Sequence, residues 1–126
     1  MKKIIEIFKA LSEENRLRIF NLVLLSNQEI FAGEISNALK KPQYTISRHI
    51  GILIKSGLIK QRRDGARIFY SLSEKTKELR INLLQFLDMI GGDFQNIFKE
   101  DFEGLREQIE KRKDGKVLNS NGDKLE

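Results

Sequence analysis

Apolar positions along the chain recur mostly at helical spacing, with one short stretch where the period falls to two. Ile4, Ile5, Phe8 and Leu11 mark a short amphipathic first helix. Ser12 stands as N-cap of the next, with Glu13 and Glu14 where a helix dipole favours negative charge. Leu17, Phe20, Val23 and Leu24, with Ile19 and Leu22 beside them, make the second helix strongly apolar and central to a core. Ser26-Asn27-Gln28 ends it, and a third helix fits residues 32–39 with Ile35, Ala38 and Leu39 inward. Lys40-Lys41-Pro42 breaks that helix, because proline lacks an amide donor and restricts the residue before it. A fourth helix over residues 43–55 separates into two faces. Ile46, Ile50, Leu53 and Ile54 form the apolar one; Tyr44, Ser47, Arg48, Gly51 and Lys55 follow the helical repeat on the other.

After Gly57 the period changes. Residues 58–63 and 66–72 read as two strands around Asp64-Gly65, a strong hairpin signal. Ser73 caps a fifth helix over residues 74–90, with Leu79, Leu83, Phe86, Leu87 and Ile90 on one face. Gly91-Gly92 interrupts, and a sixth helix over residues 93–112 carries Phe94, Phe98, Phe102, Leu105 and Ile109. With the core expected to be filled by helices two to five, this last stripe needs a partner. A second copy of the chain is the simplest, and folding back onto its own domain is the alternative. The organisation expected is one mostly helical domain with a small β-hairpin over residues 1–113, N- and C-terminal dimerisation helices included. Residues 114–126 read as a disordered tail.

Composition narrows the chemistry. The chain has 126 residues, 40% hydrophobic and 33% charged, as a folded single domain would be. No apolar run approaches the length of a membrane span, and the Met1-Lys2-Lys3 start lacks a secretory h-region, so the cytoplasm is expected. There is no cysteine and only one histidine, which removes disulfides, thiolate nucleophiles and the usual zinc ligand sets. No glycine-rich phosphate loop is present. An enzyme is therefore not expected, and neither is a cofactor or a metal.

Charge then points to a partner. Residues 40–67 carry eight bases against one acid, a net +7, while the rest of the chain nets −2. Such a block is the electrostatic footprint of nucleic-acid binding. It coincides with two helices joined by a tight break, the second with a polar, basic face, followed by a hairpin crowded by Arg62, Arg63 and Arg67. That is a helix-turn-helix with a wing. A winged helix used as a protein-interaction module is the competing reading, and it would need no basic face. His49 lies between the inward Ile46 and Leu53 and the outward Arg48; a hydrogen-bonded histidine at the domain surface or DNA edge fits better than a metal ligand.

These residues resemble the ArsR/SmtB-type winged-helix repressors. Residues 8–19, Phe-Lys-Ala-Leu-Ser-Glu-Glu-Asn-Arg-Leu-Arg-Ile, look like that family's opening; residues 43–50 are similar to its recognition helix; residues 58–72 resemble its wing. The resemblance implies a homodimer that sits on an inverted-repeat operator in double-stranded DNA and leaves it when an effector binds. Carried onto this chain, it places Gln43, Thr45, Ser47 and Arg48 in the major groove with Tyr44 close to base or sugar. It places Arg62, Arg63 and Arg67 on the flanking backbone or minor groove, and Lys40 and Lys41 on phosphates. The chain departs from the family's sensors. Phe31 and Gly33 stand where arsenic-sensing members carry cysteines, and the fifth helix offers Glu74, Glu78 and Asp88 but no histidine. Regulation is left open: an apolar small-molecule effector is one trigger, with Phe86, Met89, Phe94 and Phe98 either as pocket walls between dimer helices or as ordinary core, and constitutive repression, control by abundance and coupling to a partner protein are the others.

Overall fold

The structure, a computed structural model, describes residues 1–113; the tail expected over residues 114–126 lies outside them. In chain order the elements are α1 (Lys2–Leu11), α2 (Glu14–Ser26), β1 (Ile30–Phe31), α3 (Ala32–Leu39), α4 (Gln43–Lys55), β2 (Ile59–Asp64), β3 (Arg67–Leu72), α5 (Glu74–Glu78), α6 (Arg80–Ile90) and α7 (Phe94–Lys113). The strands form one antiparallel sheet in the order β1-β3-β2. None of the described helices is long and apolar enough to cross a membrane.

The core is built on α2, whose Ile19, Phe20, Leu22, Val23 and Leu24 are all enclosed, as its apolar run predicts. Ile35, Leu39, Ile46, Ile50 and Leu53 close over it from α3 and α4, with Ile59, Tyr70 and Leu72 from the sheet. The helix cap differs from expectation by one residue. Glu13, not Ser12, adopts the extended N-cap conformation, and its carboxylate accepts from the Arg16 amide at 2.9 Å. Ser12 instead donates to the Lys9 carbonyl and ends α1. The hairpin turn is also shifted by one. Asp64 pairs with Arg67, leaving Gly65-Ala66 as the two-residue loop. Positive φ occurs at Gly65 and not at Ala66, the pattern of a II′ rather than an I′ turn.

Two helices depart further. The helix expected over residues 74–90 is broken at Leu79, where the Leu79 amide takes the short bond to the Thr76 carbonyl and the axis restarts. The restart swings Arg80 onto the end of α2, where its guanidinium donates to the Leu24 and Leu25 carbonyls at 2.6 and 3.3 Å. An arginine there satisfies otherwise orphaned carbonyls and complements the negative end of the dipole.

The last helix folds back onto its own domain. Phe98, Leu105 and Ile109 bury against α2 and α3. Gly104 permits the approach: a Cβ at that position would lie 3.2 Å from the Ala38 Cα and carbonyl. Arg18 grips the buried Asp101 bidentately at 2.9 and 2.8 Å, which fixes the rotation of α7 about its axis. Helices two to five do not fill the core alone. The unpartnered apolar surface lies elsewhere, on Ile4, Ile5 and Phe8 of α1 and on Ile81, Phe86, Met89 and Ile90 of α6. In α1 the inward contacts come from Ala10, which is buried, and from Ile7 and Leu11, which pack against the core.

Candidate nucleic-acid interface

The break between α3 and α4 is built from three local features. Lys40 takes a left-handed conformation at φ 56°, Ser36 donates to the Lys41 carbonyl, and Pro42 opens α4 by offering its carbonyl to the Thr45 and Ile46 amides. With Ile46, Ile50 and Leu53 anchored in the core, the helical repeat turns Gln43, Tyr44, Ser47, Arg48, Gly51 and Lys55 outward. Tyr44 is 77% exposed. A Cβ on Gly51 would meet nothing within 4 Å, so the middle of this ridge is open. Thr45 is half-buried at its edge, while Lys40 is exposed and Lys41 half-buried at its foot.

His49 is the exception on this helix. It is buried, and its Nδ1 lies 3.3 Å from Arg16 Nη1 and 3.8 Å from the Glu13 carboxylate. Arg16 also donates to the Ala10 carbonyl at 2.6 Å, so the pair pins α4 to the junction of α1 and α2. Burial holds the imidazole below its ordinary value, opposed by Glu13. Its work is positional, at a helix seam rather than at a DNA edge.

The wing arginines fall into two groups. Arg62 and Arg67 lie on the sheet face away from the core, because Arg62 pairs across the strands with Phe69 and Arg67 with Asp64. Arg62 forms a fork to Glu29 at 2.7 and 3.0 Å and stacks 5.0 Å above the Phe69 ring. That hydrogen-bonded pair holds the Glu29 carboxyl below its usual range. Arg67 lies 5.0 Å over Phe31, which meets Phe69 edge-on at 5.9 Å. Arg63 points to the opposite face, opposite Ile68, and makes no ion pair among the described residues.

Behind the wing sits a cluster that sequence reasoning missed. Glu34, at the start of α3, is buried and forked by Arg112 of α7 at 3.0 Å on each oxygen. It also accepts the Phe31 amide at 3.2 Å, and Arg112 stacks 5.6 Å from the same Phe31 ring that carries Arg67. Burial pushes the Glu34 carboxyl above its ordinary value even with Arg112 beside it. The terminal helix thus clasps the base of the wing. The partners are 78 residues apart, and the one local signal was the short apolar pair Ile30-Phe31 after a turn.

Known proteins resemble this chain over its helix-turn-helix region. Residues 11–62 match the family described as "Helix-turn-helix domain". The chain is 40% identical over 79 residues to the uncharacterized HTH-type transcriptional regulator MJ1325 of Methanocaldococcus jannaschii, covering 62% of this chain and 88% of that one. Against the transcriptional activator HlyU of Vibrio cholerae the identity is 34% over 85 residues, 68% of this chain and 77% of that one. The HlyU structure superposes with a TM-score of 0.59 at 30% identity, over 68% of this chain and 91% of that one. The homodimeric winged helix-turn-helix domain of Mb0332 from Mycobacterium bovis superposes at 0.60 with 26% identity, over 69% and 80% of the two chains. These relatives are named as regulators, and this chain is likewise not an enzyme.

Proposed function

Because this chain belongs to the ArsR/SmtB-type winged helix-turn-helix transcriptional regulators, we propose that it is a cytoplasmic homodimeric repressor that reads an inverted repeat in double-stranded DNA. The observation that carries the proposal is the exposed ridge of α4, held outward by the buried Ile46, Ile50 and Leu53. Arg48 and Gln43 bring the side-chain types that read guanine and adenine bidentately. Ser47 and Thr45 suit phosphates or base edges, and Tyr44 reaches base or sugar. Lys40, Lys41 and Arg63 take phosphates. Arg62 and Arg67 act first on the wing itself, Arg62 reaching DNA by exchanging Glu29 for a phosphate.

Dimerisation is assigned to α1 and α6. Both helices leave large apolar side chains exposed, with Phe8 at 68% and Met89 at 85%, and such surface suits a covering partner. A two-fold axis relating two α4 ridges turns the operator into a palindrome with half-sites about 10 base pairs apart. Repression follows from occupying a promoter, and release is proposed to need no metal, since Phe31 and Gly33 hold the positions where arsenic sensors carry thiols.

Selection of bound sequences from a random duplex pool tests this. A palindromic consensus, bound by the purified dimer and silencing a reporter when placed over a promoter, is the expected result. No enrichment of any duplex, or salt-insensitive capture of a protein partner instead, would overturn it in favour of an interaction module. Stimulation of the reporter would overturn repression alone.

A further inference from the structure

The tip of the wing has no third strand. β1 pairs with β3 only where Ile30 meets Tyr70 and Phe31 meets Phe69, so the hairpin between Arg62 and Phe69 runs on as a two-stranded ribbon. Such a ribbon is marginal in water on its own. Its support here is a platform of side chains: Arg67 lies 5.0 Å over the Phe31 ring, and Arg62 lies 5.0 Å over Phe69 while forking Glu29. Arg112, in the last turn of α7, holds that platform at three points. Its guanidinium sits 5.6 Å from the centre of the Phe31 ring, forks the Glu34 carboxylate at 3.0 Å on each oxygen, and donates to the Glu29 carbonyl at 3.3 Å. Glu34 in turn accepts the Phe31 amide. A buried ion pair adds little net stability over apolar side chains of the same volume, but a bidentate fork fixes distance and angle. The brace comes from outside residues 11–62, the stretch matched to the helix-turn-helix family.

We propose that Arg112 is a positioning residue for DNA binding: acting through Phe31, it sets the direction of the wing and so places Arg63, on the opposite face of the ribbon, against the duplex backbone. The proposal rests on the regulator reading above, in which Arg63 takes a phosphate. Without the fork, the ribbon samples directions in which Arg63 misses that phosphate. The α4 ridge is held by its own core residues and still meets the groove. Loss of Arg112 therefore removes one phosphate contact from each half of a dimer and leaves base discrimination at Arg48 in place.

The test compares Arg112→Met and Arg112→Lys with Arg18→Met, which breaks the other bidentate clasp of α7, made to α2 through Asp101 at 2.9 and 2.8 Å. Arg112→Lys keeps a charge beside Glu34, and with it the fold, but can neither fork the carboxylate nor stack as a plane on Phe31. Full-length proteins, scored on the folded fraction from far-ultraviolet dichroism, are titrated with the selected consensus duplex and its single-base variants over a salt series. For both Arg112 variants the slope of log affinity against log salt becomes shallower, by about two for Arg112→Met, and affinity near 0.1 M salt falls on the order of 10- to 100-fold. Discrimination at the Arg48 position is unchanged, and adding Arg63→Ala to Arg112→Met costs nothing further. Arg18→Met keeps the wild-type slope. In the free chain, amide exchange over residues 62–68 speeds up in the Arg112 variants and not in Arg18→Met. A wild-type slope in either Arg112 variant, a full additional loss from Arg63→Ala, or the same change in Arg18→Met overturns the proposal. If the wild-type chain favours no duplex, the regulator reading falls and takes the proposal with it; if it does and Arg112→Met matches it, the proposal falls alone.

Discussion

Replacing Arg112 by methionine isolates the contact by which the last helix holds the wing. The methionine keeps an apolar stem against Phe31 and removes the guanidinium fork from Glu34. The Glu34 side chain is 2% exposed and that of Arg112 24%. Removing one partner of a fully enclosed pair costs about 3–5 kcal/mol, because the remaining charge is stranded. Here one partner reaches solvent, and Glu34 keeps the Phe31 amide at 3.2 Å. A loss of about 2 kcal/mol at neutral pH is therefore expected, less than for a sealed pair. With a urea m-value of about 1–2 kcal/mol/M, the unfolding midpoint falls by about 1–2 M.

The pH dependence distinguishes this account from lost packing. Burial raises the folded-state pKa of Glu34 above its ordinary 4.5, so the folded chain holds that proton more tightly than the unfolded one. The resulting stability is fully present below the unfolded value and disappears as pH rises through the folded value. Without Arg112 the folded value rises further, so the deficit of the variant widens toward neutral pH and shrinks near about pH 4, where the carboxyl is neutral in both states. Urea titrations at fixed protein concentration, at about pH 7.5 and about pH 4, read this directly. A deficit equal at both pH values, or unchanged when Glu34→Gln is already present, would refute the reasoning.

Three further perturbations probe the interface and its supports. Arg48→Ala should flatten discrimination at one operator position by about 1–3 kcal/mol, whereas Arg63→Ala, lost from both protomers, should weaken all duplexes alike and lower the salt slope by about two; quantitative binding to the consensus and its single-base variants separates the two. Phe8→Glu should convert a dimer to monomers in sedimentation while leaving the far-ultraviolet dichroism of the helices unchanged, and a persistent dimer would exonerate α1. Burial depresses the His49 pKa, so the stability it contributes is present above the ordinary 6.5 and lost as pH falls through the folded value. His49→Gln should remove that acid-side slope from the urea midpoints.

The parts of the molecule most legible in the sequence were those with a strict local period. The two faces of α4 follow from Ile46, Ile50 and Leu53 alone, and Arg-Arg-Asp-Gly between β-rich runs marks the wing to within one residue. The destination of α7 was not legible, because an apolar stripe is equally consistent with a second copy and with its own domain. What decides between them is long-range: Asp101 on the buried side meets Arg18, and Gly104 meets Ala38. Charge was misleading in a related way. Arg62, Arg63 and Arg67 look equivalent in sequence, yet strand alternation gives Arg62 and Arg67 to Glu29, Phe31 and Phe69 and leaves Arg63 alone unengaged.

That difference changes what the basic block can do at a duplex. Of its eight cations, Lys60 is paired with Glu74 at 2.5 Å, Arg62 with Glu29, and Arg67 is held on an aromatic platform. Lys40, Lys41, Arg48, Lys55 and Arg63 make no ion pair among the described residues. If Arg48 reads a base, four cations per protomer remain for phosphates, and a dimer neutralises about eight, giving a slope of log affinity against log salt near −7. The Lys60 and Arg62 pairs are both exposed and screened by solvent, so a phosphate can displace the acid in either. Recruiting both would add four phosphates per dimer and steepen the slope to about −11. Glu29→Gln distinguishes the cases. It releases Arg62 in advance, so affinity rises with an unchanged slope if Arg62 already switches in the complex. The slope steepens by about two if it does not.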